Sequence, residues 1–139
     1  MRAAIDTNVV LDFLLSREPH AVSARQLFGM IQQEKIEAFV TANSITDIYY
    51  ITAKRLGKYT AREVIKSIVS MLGIISVDGD DCVNALGLPI ADFEDALVVI
   101  CAEKVDLNYI ITNDKDFLRT DTLSVKVVGT QDFLDLMQE

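Results

Sequence analysis

Histidine is almost missing from this chain. His20 is the only one among 139 residues, and it sits beside Pro19 in a loop. That removes Ser-His-Asp triads, histidine general bases and His-rich zinc sites from the chemistry available. Cysteine is scarce too. Cys82 and Cys101 have neither metal-site spacing nor the pattern of a disulfide framework, so two buried thiols in a reducing compartment are expected. No apolar run approaches the roughly 18–20 residues of a membrane span. The N-terminal stretch is interrupted by Asp6 and Asp12 and does not read as a signal peptide. The expectation is a cytoplasmic protein with no membrane contact. Positive charge is also short: 13 Lys and Arg face 21 Asp and Glu, a net charge of -8. Such a chain is not held on nucleic acid by bulk charge. A nucleic-acid enzyme whose acids are neutralised by bound cations stays open.

What is present is an ordinary soluble composition, 50% hydrophobic and 24% charged, long enough for one domain with its own core, residues 1–139. The apolar pattern alternates short runs with helical periodicity. Strands are expected near residues 3–5, 37–41, 74–77, 109–111 and 125–128. Helices are expected at 9–15, 20–33, 43–55, 60–72, 81–86 and 92–104, and in a last segment after Thr130. Asn43 or Ser44, Thr60 and Thr130 are the expected caps, with Glu63 at capping-box spacing from Thr60. Residues 112–117 read as a polar loop. Runs such as Ile74-Ile75 and Tyr109-Ile110-Ile111 suit strands buried on both faces. Alternation of this kind gives a three-layer α/β/α sandwich around a central, mainly parallel five-stranded sheet.

Acids are plentiful, so position is what distinguishes them. Asp6 ends the first strand. Asp47 lies about one turn into the third helix. Asp92 and Asp95 open the helix at 92–104, and Asp114 and Asp116 follow the fourth strand. In open parallel sheets, ligands bind outside the carboxyl ends of the strands, so these side chains are placed to converge there. Each also has a plainer use. Asp92 and Asp95 suit a helix N-terminus, and Asp114 and Asp116 suit Asx-turns. A converging set would bind Mg²⁺ or Mn²⁺, which prefer hard oxygen donors, and would need no histidine or thiol for hydrolysis.

Four stretches carry a resemblance to a known family: Ile5-Asp6-Thr7-Asn8-Val9-Val10-Leu11-Asp12, Ser44-Ile45-Thr46-Asp47-Ile48-Tyr49-Tyr50, Asp92-Phe93-Glu94-Asp95-Ala96-Leu97, and Ile111-Thr112-Asn113-Asp114-Lys115-Asp116-Phe117. In order and spacing the set resembles the PIN domains, in particular the group of VapC-like toxin ribonucleases. The resemblance implies a five-stranded α/β/α fold, Mg²⁺ or Mn²⁺, and cleavage of single-stranded RNA. It implies Asp6, Asp47, Asp95 and Asp114 as catalytic metal ligands, with Asp116 as an added or alternative ligand. It also implies a protein antitoxin that blocks the site, and often a homodimer. The family usually has Glu where Asp47 stands, one methylene longer. Thr7, Asn8, Asp92 and Thr112 are candidates for orienting the ligands. Lys54, Arg55 and Lys58, with Arg62 and Lys66, gather five of the 13 basic residues where RNA phosphates could be held, or simply form a solvated basic face.

Two alternatives follow from the same residues. A degenerate PIN-like RNA- or protein-binding module is supported by Asp47 in place of Glu. An Asp-dependent phosphatase or phosphorelay domain would use Asp6 as nucleophile, but Asn8 stands where the phosphatase wants a second Asp. A phosphorelay domain finds a suitable Asp78 and lacks the acid pair.

Overall fold

The computed structural model describes residues 1–120 and 124–139. Its five strands are β1 (Arg2–Ile5), β2 (Glu37–Thr41), β3 (Gly73–Ile75), β4 (Tyr109–Ile111) and β5 (Lys126–Val128). All pair in parallel, in the order β3-β2-β1-β4-β5. Among the described residues the helices are α1 (Thr7–Leu14), α2 (Ala21–Gln32), α3 (Ala42–Leu56), α4 (Lys58–Met71), α5 (Gly79–Leu86), α6 (Phe93–Lys104), α7 (Lys115–Leu118) and α8 (Thr130–Met137).

Side chains alternate across a strand, and β1 and β4 divide accordingly. Ala3, Ile5 and Ile111 join a core with Val10, Leu27, Phe28, Ile48, Ile68 and Phe133. Ala4 and Ile110 face a second core with Ala96, Val99, Cys101 and Phe117. One sheet with helices on both faces is the three-layer arrangement expected. None of the described helices is long and apolar enough to cross a membrane.

Several local expectations are corrected. Ile74 is 48% exposed, because β3 is an edge strand with a neighbour on one side only. Asn43 and Ser44 do not cap α3. The N-cap is Thr41, without a side-chain cap bond, and the Ser44 hydroxyl turns to Thr41 and Thr7. Thr60 does not cap α4 either, since the helix begins at Lys58 directly after Gly57. Gly57 has φ of 89°, the region glycine enters without a Cβ penalty, so one residue ends α3 and starts α4. Thr130 is the first residue inside α8, after Gly129. The cap comes from the side chain of Asn113, which accepts from the Thr130 N–H at 3.1 Å and donates to the Thr130 hydroxyl at 3.0 Å. The expected polar loop contains α7, with Asp114 as its cap. Both cysteines are free, but only Cys101 is fully buried; Cys82 is half-buried.

The order of the strands positions the site. From β1 the chain moves to β2 and β3 on one side, then returns to β4 and β5 on the other. The reversal leaves a crevice between the carboxyl ends of β1 and β4. The ladder runs one residue past the strands there. Asp6 N–H donates to the Ile111 carbonyl at 3.0 Å and Thr112 N–H to the Val128 carbonyl at 2.9 Å. Asp6 and Thr112 are thereby fixed side by side at the mouth of the crevice.

Candidate active site

A single hydroxyl joins two of the expected acids. Thr112 is fully buried. Its Oγ1 donates to Asp6 Oδ2 at 2.8 Å and accepts from the Asp114 N–H at 3.1 Å. Thr112 therefore orients the Asp6 carboxylate and fixes the start of the Asp114 turn at once. Asp114 Oδ1 in turn accepts from the N–H groups of Asp116 and Phe117, at 2.8 and 3.3 Å. Across the crevice, Asp92 caps α6, its Oδ1 accepting from Asp95 N–H at 3.0 Å.

Electrostatics tie these elements into one cluster. Burial pushes the Asp6 carboxyl up from its ordinary value. The Thr112 hydrogen bond works against this, and the charges of Asp114 and Asp92 add to it. Asp95 is raised further, to about 7, by burial first and then by the charges of Asp92, Asp6, Asp114 and Glu94. Like charges held together behave in this way, and perturbed carboxyls in a crevice are a mark of functional sites.

Asp47 is tied to the cluster through Glu94, a residue that sequence reasoning misses. Asp47 lies in the second turn of α3, half-buried. Glu94, in the first turn of α6, is raised by burial and then by the charges of Asp47, Asp92 and Asp6. Glu94 is exposed, yet charges from α3, from the end of β1 and from the cap of α6 all act on it. It lies inside the third of the four stretches, but nothing in the spacing separates it from an ordinary helix-start acid. The start of α3 is held to the start of α1 by hydroxyls: Thr7 Oγ1 donates to Ser44 Oγ at 2.9 Å, and Ser44 Oγ lies 2.9 Å from Thr41 Oγ1.

Other expected residues lie apart. Asp116 pairs with Arg119 at 3.2 Å on the solvent side, its side chain 90% exposed. It lines a cleft of about 460 Å³ with Asp92, Asp95 and Arg119, and it is not among the principal causes of the shifts of Asp6 and Asp95. Asn8 is engaged by Arg17, which donates to its Oδ1 at 3.2 Å and its carbonyl at 3.0 Å. The same Arg17 pairs with Asp12 at 3.0 Å. Lys54, Arg55 and Lys58 are exposed around the turn between α3 and α4. A larger cleft, about 810 Å³, opens at the opposite, amino edge of the sheet near Met1, Asn108 and Lys126, away from these acids. Among the described residues no three His, Cys, Asp or Glu groups have their donor atoms gathered as a formed metal site. Asp92 and Asp114 each use Oδ1 on backbone N–H groups, which leaves Oδ2 of each for other partners.

The Thr112 bridge gives a direct prediction. In Thr112→Val the shape is kept and both hydrogen bonds go, leaving the Asp114 N–H and the Asp6 carboxylate without this partner. We expect a loss of about 1–3 kcal/mol in denaturant unfolding and a weaker response of the melting temperature to Mn²⁺. Unchanged stability and metal response would show that the hydroxyl positions nothing.

Comparison with known proteins gives a consistent set. The family model described as PIN domain matches residues 2–116. A curated relative, "Ribonuclease VapC1" of Aquifex aeolicus, is 27% identical over 136 residues, covering 94% of this chain and 92% of the relative. The fold is similar to that of Mycobacterium tuberculosis VapC20, described as a sarcin-ricin loop cleaving toxin. The TM-score is 0.70 at 14% identity, over 89% of this chain and 98% of that one. It is similar also to VapBC2 from Rickettsia felis bound to a promoter DNA fragment, with TM-score 0.66 at 16% identity, over 93% and 98% of the two chains.

Proposed function

The chain belongs to the PIN domain family, and from that premise we propose that it is a divalent-metal-dependent endoribonuclease acting on single-stranded RNA, the toxin of a toxin–antitoxin pair. The observation that carries the reading is the electrostatic environment that Asp6 and Asp95 share. They come from different elements, both are raised by burial and by the charges of Asp92 and Asp114, and the charge of Asp6 itself acts on Asp95. Similar proteins support the substrate class and the partner: one is named a ribonuclease, and one similar structure is a toxin–antitoxin complex from Klebsiella pneumoniae.

The donor set suits Mg²⁺ or Mn²⁺. It is made of hard carboxylate oxygens with no nitrogen or sulfur, and several like charges in a half-buried crevice cost stability until a cation joins them. Asp6, Asp47, Asp95 and Asp114 would hold the ion, with Asp116 further out as an alternative. When bound, such an ion polarises a phosphate oxygen and lowers the pKa of a bound water. The chain's own residues do the rest. Thr112 holds the Asp6 carboxylate in one orientation, and Asp92 fixes the first turn of α6 so that Asp95 faces the crevice. Glu94 adds a carboxylate whose charge couples to Asp47, the residue that stands where the family usually has the longer Glu. A protein antitoxin covering this edge and a homodimer complete the reading, in a cytoplasmic setting.

One of the alternatives loses its support. In a phosphorelay domain Asp78 would have to be free for phosphorylation. Here its carboxylate accepts from Asp81 N–H at 2.9 Å as the cap of α5, and the family assignment points elsewhere. The binding-module alternative keeps a specific basis, Asp47 and the ungathered oxygens. The experiment that separates it is incubation of the purified protein with a mixed single-stranded RNA pool in Mn²⁺ or Mg²⁺, with an EDTA control. Metal-dependent cleavage is expected. RNA retained but intact under every condition would leave the binding module.

A further inference from the structure

The acids account for the carboxyl edge, but not for the neighbouring turn between α3 and α4. Residues 54–60 are all exposed, although α3 and α4 pack against one another and into the core through Ile48, Ile51, Val64, Ile65 and Ile68. Topology fixes where this tip points. α4 leads directly into β3, so its C-terminal end lies at the amino edge of the sheet. At 14 residues it is about 21 Å long, whereas the three residues of β3 span about 10 Å. Its N-terminal end therefore reaches past the carboxyl edge, on the side of the acids.

The chemistry of the tip is the reverse of the rest of the molecule. In a chain of net charge -8, Lys54, Arg55, Lys58 and Arg62 lie close together. Among the described residues none of these four is in an ion pair. Two tyrosines accompany them: Tyr59 is 80% exposed and Tyr50 59%, far more than a packing role needs. Lys54 Nζ sits 4.6 Å above the Tyr50 ring, a cation–π contact that keeps that ring flat against a positive charge. Tyr59 and Arg62, three apart on α4, share a face. Exposed aromatic rings interleaved with unpaired cations form a surface on which bases stack while phosphates are neutralised.

Resting on the ribonuclease reading, we propose that the α3–α4 tip grips the single-stranded RNA flanking the cleaved bond, with Tyr59 as a stacking platform and Lys58 and Arg62 on the phosphates. Asp47 and Tyr50 are three residues apart on one helix, about 4.5 Å along its axis, so a strand leaving the acids meets the tip within a few nucleotides. The geometry favours single strands, because a ring stacks only on a base that is not already paired.

The test is binding, so that it stands apart from catalysis. Fluorescence anisotropy with a labelled 12-nucleotide single-stranded RNA is measured in EDTA for the wild type, Tyr59→Ala, Tyr59→Phe and the Lys58→Ala/Arg62→Ala pair. Tyr59→Ala is expected to weaken binding about tenfold, and Tyr59→Phe to keep it. The pair should flatten the dependence of log K on log salt by about 1.4, at roughly 0.7 for each phosphate no longer neutralised. A fully paired RNA of the same sequence should compete poorly. These positions are exposed, and equal melting temperatures would confirm that the variants fold. Binding unchanged in Tyr59→Ala and in the pair would overturn the proposal and leave the tip to a protein partner. If the wild type binds as expected yet cleaves nothing, the catalytic reading fails, while the grip of the tip on single-stranded RNA stands without a cleaved bond beside it.

Discussion

In Asp6→Asn, RNA cleavage is expected to fall by at least about a hundredfold, since even groups that merely orient metal ligands are worth 10- to 100-fold. The metal-free protein is expected to become more stable at the same time. Asp6 is one of the charges that hold the Asp95 carboxyl up at about 7, so neutralising it relieves repulsion. The stability gained on adding Mn²⁺, RT ln(1 + [L]/Kd), should largely disappear. The pH dependence has a definite sign. A carboxyl whose folded-state value is about 7, against an ordinary 3.8, binds more protons folded than unfolded over that interval. In EDTA, stability should therefore fall as pH rises from about 4 to about 7, then level off. Asp95→Asn should flatten that fall. Melting curves from pH 4 to 8, with and without metal, check all of this. A wild type whose stability rises steadily with pH to 7 in EDTA would contradict it.

The second large effect concerns Asp47. Asp47→Asn keeps nearly the same shape and removes one charge from the crevice, so much of the cleavage should be lost, about tenfold or more if this residue orients or binds the ion. Asp47→Glu should stay active, because the longer side chain reaches the same place. Glu94 makes the outcome informative. Its carboxyl is raised partly by Asp47, so the two are coupled and their effects should not add. Glu94→Gln alone is expected to cost less than Asp47→Asn, and the double variant less than the sum of the two. Strict additivity in cleavage rates at equal folded concentration would separate Glu94 from the site.

The sheet and its order of helices are legible in the sequence because buried strands and amphipathic helices write their burial into the apolar pattern. Tyr109–Ile111 and Glu37–Thr41 need no more than that. What stays hidden depends on partners distant in sequence. Asn113 caps α8 from 17 residues away, whereas local cap rules point to Thr130. Ser44 looks like a cap and serves as a hydroxyl link between α1 and α3. Ile74 looks like core and lies on the edge strand, because periodicity carries no information about neighbours. In the candidate site, Asp6, Asp95 and Asp114 stand out by falling after strands or at a helix start. Glu94 does not, since its significance comes from the charge of Asp47, which lies on a different helix and acts on it. Asp81 is likewise unreadable. The sequence places it only at the start of a short helix, yet it is buried and ion-paired with Lys104, 23 residues later in sequence.

Asp6 just after β1, Asp47 of α3, Asp95 of α6 and Asp114 of the β4–α7 turn are proposed to form one cation site. Diffraction from crystals soaked in Mn²⁺, collected for anomalous scattering, tests it most directly. An anomalous peak is expected in the crevice, coordinated by Asp6 with Asp95 or Asp114, and it should be lost in Asp6→Asn. A crevice with no peak at millimolar Mn²⁺, or a peak held only by Asp116 and other surface carboxylates, would contradict it.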